Sequence, residues 1–346
     1  MKKLKVIQIG VTHEHAEGKM RTLLSCPGEF EVVGYVNDLN SAHTPYNVTS
    51  LLPLYGDLHP MTIQEALEYP DTDMVTIEVP NNELVETAEK FARKGVALHM
   101  DKPAGEDLEA YKRLLDICKE KSLPFQIAYM FRGNPAFRFC IRAIKEKLIG
   151  DVISIECDMN HCYGGEQYRE YISKFKGGIM YNLGCHLIDF IVAAMGRPAA
   201  VHSFIRSVAG DVETSGNNSY ALLEYPNAFA HIKVCGKVPG CTPARSMSVK
   251  GTKGTIFFSP MERFDGKGLE LELLMLEDTP SYPAGKHTLV FNPVTDRYIN
   301  QLRELAGIIR GERTESAYTV EHDLLVHEVV LAASGLKDFG GNLCMQ

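Results

Sequence analysis

Three short stretches of this 346-residue chain carry side chains able to move protons or hold ligands. In "NLGCHLID", residues 182–189, His186 is an imidazole, with an ordinary pKa of about 6.5 that suits a proton acceptor near neutrality. In "MDKP", residues 100–103, Lys102 ends an apolar run, where an ammonium can hydrogen-bond a reacting oxygen. In "VIQIGVTHEHA", residues 6–16, Gly10 is kept, but Thr12 and His15 stand where a phosphate-binding turn carries its second and third glycines.

Each stretch also has a bland reading: His186 packing inside an apolar helix, Lys102 as a surface lysine after a turn, and the histidines as loop packing. At the turn, the Thr12 hydroxyl and the N–H groups of a helix start can still meet a phosphate, and a protonated histidine attracts one. Glu78, at the end of a later apolar run, would repel it. His13 and His15 with Glu78 or Glu14 are ordinary metal ligands. An isolated H-x-H is common, however, so no metal is expected and His13 is placed among the cofactor contacts.

The elements that must position these groups follow from periodicity. "LKVIQIG" and "EFEVVGYVND" read as strands flanking an amphipathic helix, and "DMVTIEVPNN", "VALHMDKP" and "PFQIAYMF" as further strands separated by helices. Apolar strands alternating with helices predict a parallel sheet, buried on both faces and doubly wound. Ligands bind such sheets beyond the carboxyl ends of the strands. Those ends here are the 10–16 turn, Asn37 and Asp38, Pro80 and Asn81, and Lys102. An acid after the second strand suits ribose hydroxyls, and no Lys or Arg occurs from 37 to 60 to receive a 2′-phosphate, so NAD is preferred to NADP. Beyond a helix at about 134–148, the alternating patterns "VISIECDMN", "AAVHSFIRSV", "NSYALLEYP", "AFAHIKVCG", "RSMSVKGTKGTIFFSP" and "LELELLML" surround one apolar helix, "MYNLGCHLIDFIVAAMG". Two more helices close the chain. The fold class is α/β: an N-terminal Rossmann-type domain, 1–125, and a C-terminal α+β domain, 126–346, with a large, mostly antiparallel open sheet.

Composition narrows the partners. A net charge of −8 without a basic stripe argues against nucleic acid and anionic membranes. The apolar run after "MKKLK" is too short for a signal or a span, and the expected location is the cytoplasm. Nine scattered cysteines without a CxxC pair favour reduced thiols; Cys185 stands out only as the neighbour of His186.

These motifs together resemble the Gfo/Idh/MocA oxidoreductases. The matching segments are the opening strand and turn, "VPNNELVETAEKFARKGVALHMDKPAG", "YMFRGNPAFR", "GGIMYNLGCHLIDFI" and the terminal helices. The resemblance implies a Rossmann domain, NAD or NADP, hydride transfer at a hydroxyl of a sugar, cyclitol or related polyol, and a homodimer or homotetramer. It adds Gly177, Gly178, Gly184 and Asp189 around His186, which favours His186 as the general base. It makes Lys102 the group that polarises the hydroxyl, with Asp101 orienting it, and places Arg132 at the domain junction, where it orients substrate or pairs with an acid across the interface. Tyr163, Tyr168 and Tyr181 are sugar contacts or packing. Asn182 stands where the family commonly has aspartate, four residues before His186 and so on one α-helical face with it. Asparagine can hold a hydroxyl but cannot carry a proton, which keeps two alternatives open: NAD-assisted elimination or epimerisation without net redox, and a noncatalytic binding protein.

Overall fold

The computed structural model describes residues 2–38, 52–162, 173–211, 216–240, 242–263, 265–313 and 316–339. They fall into two compact units, Met1–Tyr129 with Asp296–Leu324, and Met130–Thr295 with Leu325–Gln346.

In the first unit, β1 (Leu4–Ile9), β2 (Phe30–Val36), β3 (Pro60–Met61), β4 (Met74–Ile77), β5 (Ala97–Met100) and β6 (Phe125–Ile127) form one sheet in the order β3-β2-β1-β4-β5-β6. All its pairings are parallel, as the apolar runs predict. Helices α1 (Ala16–Ser25), α2 (Ile63–Glu68), α3 (Leu84–Lys94) and α4 (Leu108–Glu120) connect the strands. The Asp107 carboxylate starts α4 by accepting the Ala110 N–H, and the capping box Thr62/Glu65 starts α2. Strand order reverses between β1 and β4, so the ligand edge lies beyond the carboxyl ends of those two strands.

The second unit carries α5 (Pro135–Lys145), α6 (Cys185–Met195) and an eight-stranded sheet. Its strands are β7 (Val152–Asp158), β8 (Ala200–Arg206), β9 (Asn218–Tyr225), β10 (Ala228–Cys235), β11 (Ser246–Gly251), β12 (Gly254–Phe258), β13 (Leu269–Met275) and β14 (Gly285–Phe291). Only β7 and β10 pair in parallel. Strict alternation of buried and exposed residues in β13 marks a sheet with one covered and one open face.

The late helix α7 (Ile299–Ile309) belongs to the first unit, where Leu302, Leu305 and Ala306 pack with Leu4, Val6, Leu23 and Phe30. The sequence reading put it in the second domain and the boundary at 125/126. The apolar face of α7 is instead buried against the first sheet, and the compact units divide after Tyr129, which keeps β6 whole in the first. The last helix is α8 (Val320–Ala333). Among the described residues all seven cysteines are unbonded, and no helix is long and apolar enough to cross a membrane.

Candidate active site

The turn after β1 depends on Gly10, whose φ is +94° and whose added Cβ would lie 2.6 Å from the Glu78 carbonyl oxygen. Asp38, just beyond β2, gathers this turn: its carboxylate accepts the Val11 N–H at 2.8 Å and the Thr12 hydroxyl at 2.5 Å. The Thr12 hydroxyl therefore points its proton at Asp38 rather than at a phosphate. Burial, opposed by those two hydrogen bonds, raises the Asp38 carboxyl. Asn37 beside it is exposed, and Pro80 leads into a short turn of helix at Asn81–Glu83.

His13 lies beneath the turn. Its N–H donates to the Glu78 carbonyl at 3.1 Å, its Nε2 sits 2.9 Å from Asn81 Oδ1, and its Nδ1 accepts the His15 N–H at 3.2 Å. Burial takes its pKa down to about 4, outweighing the pull of Asp101. A protonated His13 attracting phosphate is thus excluded at neutral pH.

Below lies a charged network that the sequence reading did not anticipate. Lys19, fully buried on α1, reaches Glu78 Oε1 at 2.6 Å and Asp101 Oδ2 at 2.7 Å. Glu78 is therefore not the uncompensated carboxylate expected from sequence. Burial, helped by Asp101 and opposed by Lys19, pushes Glu78 well up. Burial also opposes ionisation of Asp101, yet the neighbouring His13, Lys19 and His15 hold it well down. His15 Nδ1 lies 3.1 Å from both Asp101 oxygens. One ligand atom from each of His13, His15 and Asp101 falls within 4.8 Å of the others. The acid that meets both histidines is Asp101, whereas Glu78 reaches only His13, at 4.0 Å, and Glu14 only His15, at 3.6 Å; the expectation of no metal did not include Asp101.

Asp101 Oδ1 also accepts the backbone N–H of Lys102 at 2.6 Å. It orients the Lys102 main chain, whereas the buried Lys102 Nζ lies 3.9 Å from Glu14 Oε1. Lys19 was legible in principle: it sits one α-helical turn after His15, among the inward residues Ala16, Met20 and Leu23.

The remaining predicted residues belong to the second unit. Asn182 and His186 are both buried, Asn182 in the π-helical turn Met180–Gly184 and His186 in the first turn of α6, which starts at Cys185. The edge of the Phe131 ring packs on His186 at 5.9 Å between centroids. Gly178, with φ +55°, precedes this turn where an added Cβ would lie 2.5 Å from the Gly216 carbonyl oxygen. Arg132 grips Asp189 of α6 through Nε, at 3.2 and 3.1 Å, and through Nη2 at 2.7 Å. The partner of Arg132 is thus an acid of its own unit. Tyr181 is buried against Phe175, which fits packing; Tyr163 and Tyr168 lie outside the described residues.

Two stability predictions arise here. Arg132→Leu strands the Asp189 carboxylate and is expected to cost about 3 kcal/mol in urea unfolding, with most of it regained in Arg132→Leu/Asp189→Leu. A single variant within experimental error of the parent contradicts this.

The second concerns pH. Between pH 6.5 and about 4 the unfolded chain holds a proton on His13 that the folded chain lacks. The His13 contribution is therefore fully present above pH 6.5 and lost as pH falls through that window, by about 3 kcal/mol. His99, taken down to about 3 by burial, acts in the same direction. The raised Glu78 acts in the opposite one. His13→Gln should flatten unfolding free energy against pH in this window relative to the parent, and parallel curves count against a neutral buried His13.

For a nicotinamide dinucleotide, the first unit fits at the ribose end, where Asp38 stands beyond β2 beside the glycine turn. The phosphate end departs from the usual cradle, because the His13 N–H is taken by the Glu78 carbonyl beyond β4 and the His15 N–H by the His13 ring.

Comparison with known proteins agrees with this architecture. The family described as "Oxidoreductase family, NAD-binding Rossmann fold" matches residues 9–129, and the "GFO/IDH/MocA C-terminal domain" matches 137–257. An uncharacterized oxidoreductase of Streptococcus pneumoniae serotype 4 is 22% identical over 66% of this chain and 66% of its own length. D-apiose dehydrogenase of Paraburkholderia graminis is 25% identical over 61% of this chain and 56% of its own length. The chain thus spans less than two thirds of the length of these two relatives. A solved levoglucosan dehydrogenase, in complex with NADH and levoglucosan, superposes with a TM-score of 0.78 at 17% identity, over 97% of both chains. With matches to both characteristic domains, over more than half of its length, the chain belongs to the GFO/IDH/MocA family of oxidoreductases.

Proposed function

We propose that this protein is an NAD-dependent oxidoreductase acting at a hydroxyl of a small carbohydrate or polyol. The observation that carries the reading is the carboxyl edge of the first sheet, where buried Lys102 follows β5 and Asp38 follows β2 beside the Gly10 turn. Similarity to D-apiose dehydrogenase and to the levoglucosan dehydrogenase structure supports the substrate class.

The nicotinamide, when bound, supplies the hydride acceptor or donor. Gly10, Asn37, Asp38, Pro80 and Lys102 are the residues assigned to the cofactor edge, and Thr12, His13 and Asn81, bonded within the protein, support that edge from beneath. The Asp38 carboxylate accepts ribose hydroxyls and repels a 2′-phosphate, which selects NAD over NADP. Lys102 Nζ hydrogen-bonds the reacting oxygen and stabilises negative charge developing there. His186 accepts the hydroxyl proton, and Asn182 orients a neighbouring hydroxyl. Arg132 acts through Asp189, fixing the helix that carries His186.

Incubating the protein with NAD and a panel of aldoses, cyclitols and acyclic polyols tests this. Cofactor reduction with one stereochemical class is expected. Solvent-deuterium incorporation or product epimers without net reduction would instead support the elimination or epimerisation reading, which Asn182 keeps alive. No conversion of any kind with cofactor bound would favour a noncatalytic role.

The open face of the second sheet, with Phe204, Phe229 and Val290 more than half exposed, supports a homodimer or homotetramer. With no basic stripe and no candidate span among the described residues, neither nucleic acid nor membrane is proposed as a partner, and the proposed location is the cytoplasm.

A further inference from the structure

We propose that His13, His15 and Asp101 form a binding site for a late first-row divalent cation, zinc foremost, beneath the turn after β1. Asp101 Oδ2 lies 3.5 Å from His13 Nδ1 and 3.1 Å from His15 Nδ1. Ligands on a tetrahedral zinc with bonds near 2.0 Å stand about 3.3 Å apart, which these two separations match, while all three ligand atoms lie within 4.8 Å of one another and the rings close on an entering ion.

Second contacts prepare the donors. Asn81 Oδ1 can only accept, so His13 Nε2 carries the ring proton and Nδ1 presents its lone pair toward Asp101. A separate observation marks the place as incomplete. Glu78 Oε2 is buried with no N–H or O–H donor on it, 4.0 Å from His13 Nδ1, and the Glu78 carboxyl lies within hydrogen-bond reach of Asp101, two acids that converge on one place. It can complete the ligand set or accept from a metal-bound water. Charge points the same way, because the ionised Asp101 shares the single ammonium of Lys19 with the Glu78 carboxyl where water is excluded.

The other charged groups at the site are Glu14, 3.6 Å from His15 Nε2, and Lys102, 3.9 Å from Glu14. Lys19 competes for Asp101 Oδ2, and an entering ion leaves it held by Glu78 Oε1, its partner at 2.6 Å. The His15 N–H bond to His13 Nδ1 is given up in exchange. Two imidazoles and one carboxylate select zinc, nickel or copper over magnesium and calcium, and leave a coordination position for an oxygen ligand.

The test is calorimetric titration of chelator-stripped full-length protein with zinc chloride, without dinucleotide, alongside visible absorption with cobalt(II). One ion per chain and tetrahedral cobalt bands are expected. Affinity should fall at least about 100-fold in His15→Ala, a partly exposed position whose melting temperature stays near the parent's, and again in Asp101→Asn. Cys162→Ser, which removes an exposed thiol able to bind zinc, should leave affinity unchanged. Absence of saturable binding, or zinc affinity that His15→Ala lowers less than tenfold, overturns the proposal. Because dinucleotide is left out, either result is independent of the cofactor reading.

Discussion

Lys102→Met should lower kcat by about a thousandfold while changing NADH affinity by no more than a few-fold. The side chain is buried at the carboxyl end of β5, the edge where open parallel sheets take ligands, and its backbone N–H is already held by Asp101. Methionine preserves the length of the stem and removes only the charge and its donors. The informative pattern is therefore a fall in kcat that exceeds any rise in KM. An equal loss in cofactor binding would make Lys102 a nucleotide contact, and an unaffected kcat would remove it from the mechanism.

A loss of about 4 kcal/mol of stability is expected from Lys19→Met, because the buried, ionised Asp101 loses its ammonium and the Glu78 carboxyl loses the same donor. For a protein of this size that means a fall of about 10 °C or more in melting temperature. The double variant Lys19→Met/Glu78→Met should recover part of the loss by removing one stranded carboxyl. If Lys19→Met alone unfolds within about 1 kcal/mol of the parent, the network does not hold the turn as described.

Much of this architecture was readable because apolar strands and amphipathic helices have different periods. The parallel sheet, seven of the eight strands of the second sheet and both closing helices follow from that contrast. Strand β14, "GKHTLVF", escaped because an edge strand half exposed along its whole length carries no apolar rhythm strong enough to see. Helix α2 is a six-residue element and β3 only two, too short for any period. The π-helical turn at Met180–Gly184 is invisible to spacing arguments that assume 3.6 residues per turn.

The site was legible as a set of residues and much less so as a set of contacts. Gly10, Asp38 and Lys102 were found because strand ends predict where ligands go. That Thr12 donates to Asp38, and that Asp101 joins His15 to Lys19, depends on residues separated by 26, 86 and 82 positions. No local pattern encodes such pairings. Glu78 was misjudged for the same reason, since its compensating lysine lies 59 residues away on another element.

The central claim is that a dinucleotide binds at the Gly10 turn even though imidazole rings and internal hydrogen bonds replace the usual glycine cradle. Calorimetric titration with NADH and NADPH tests it most directly. Saturable binding of one NADH per chain, at least tenfold tighter than NADPH and weakened by Asp38→Ala, is the predicted result. Heats that show no saturation up to millimolar NADH would contradict it.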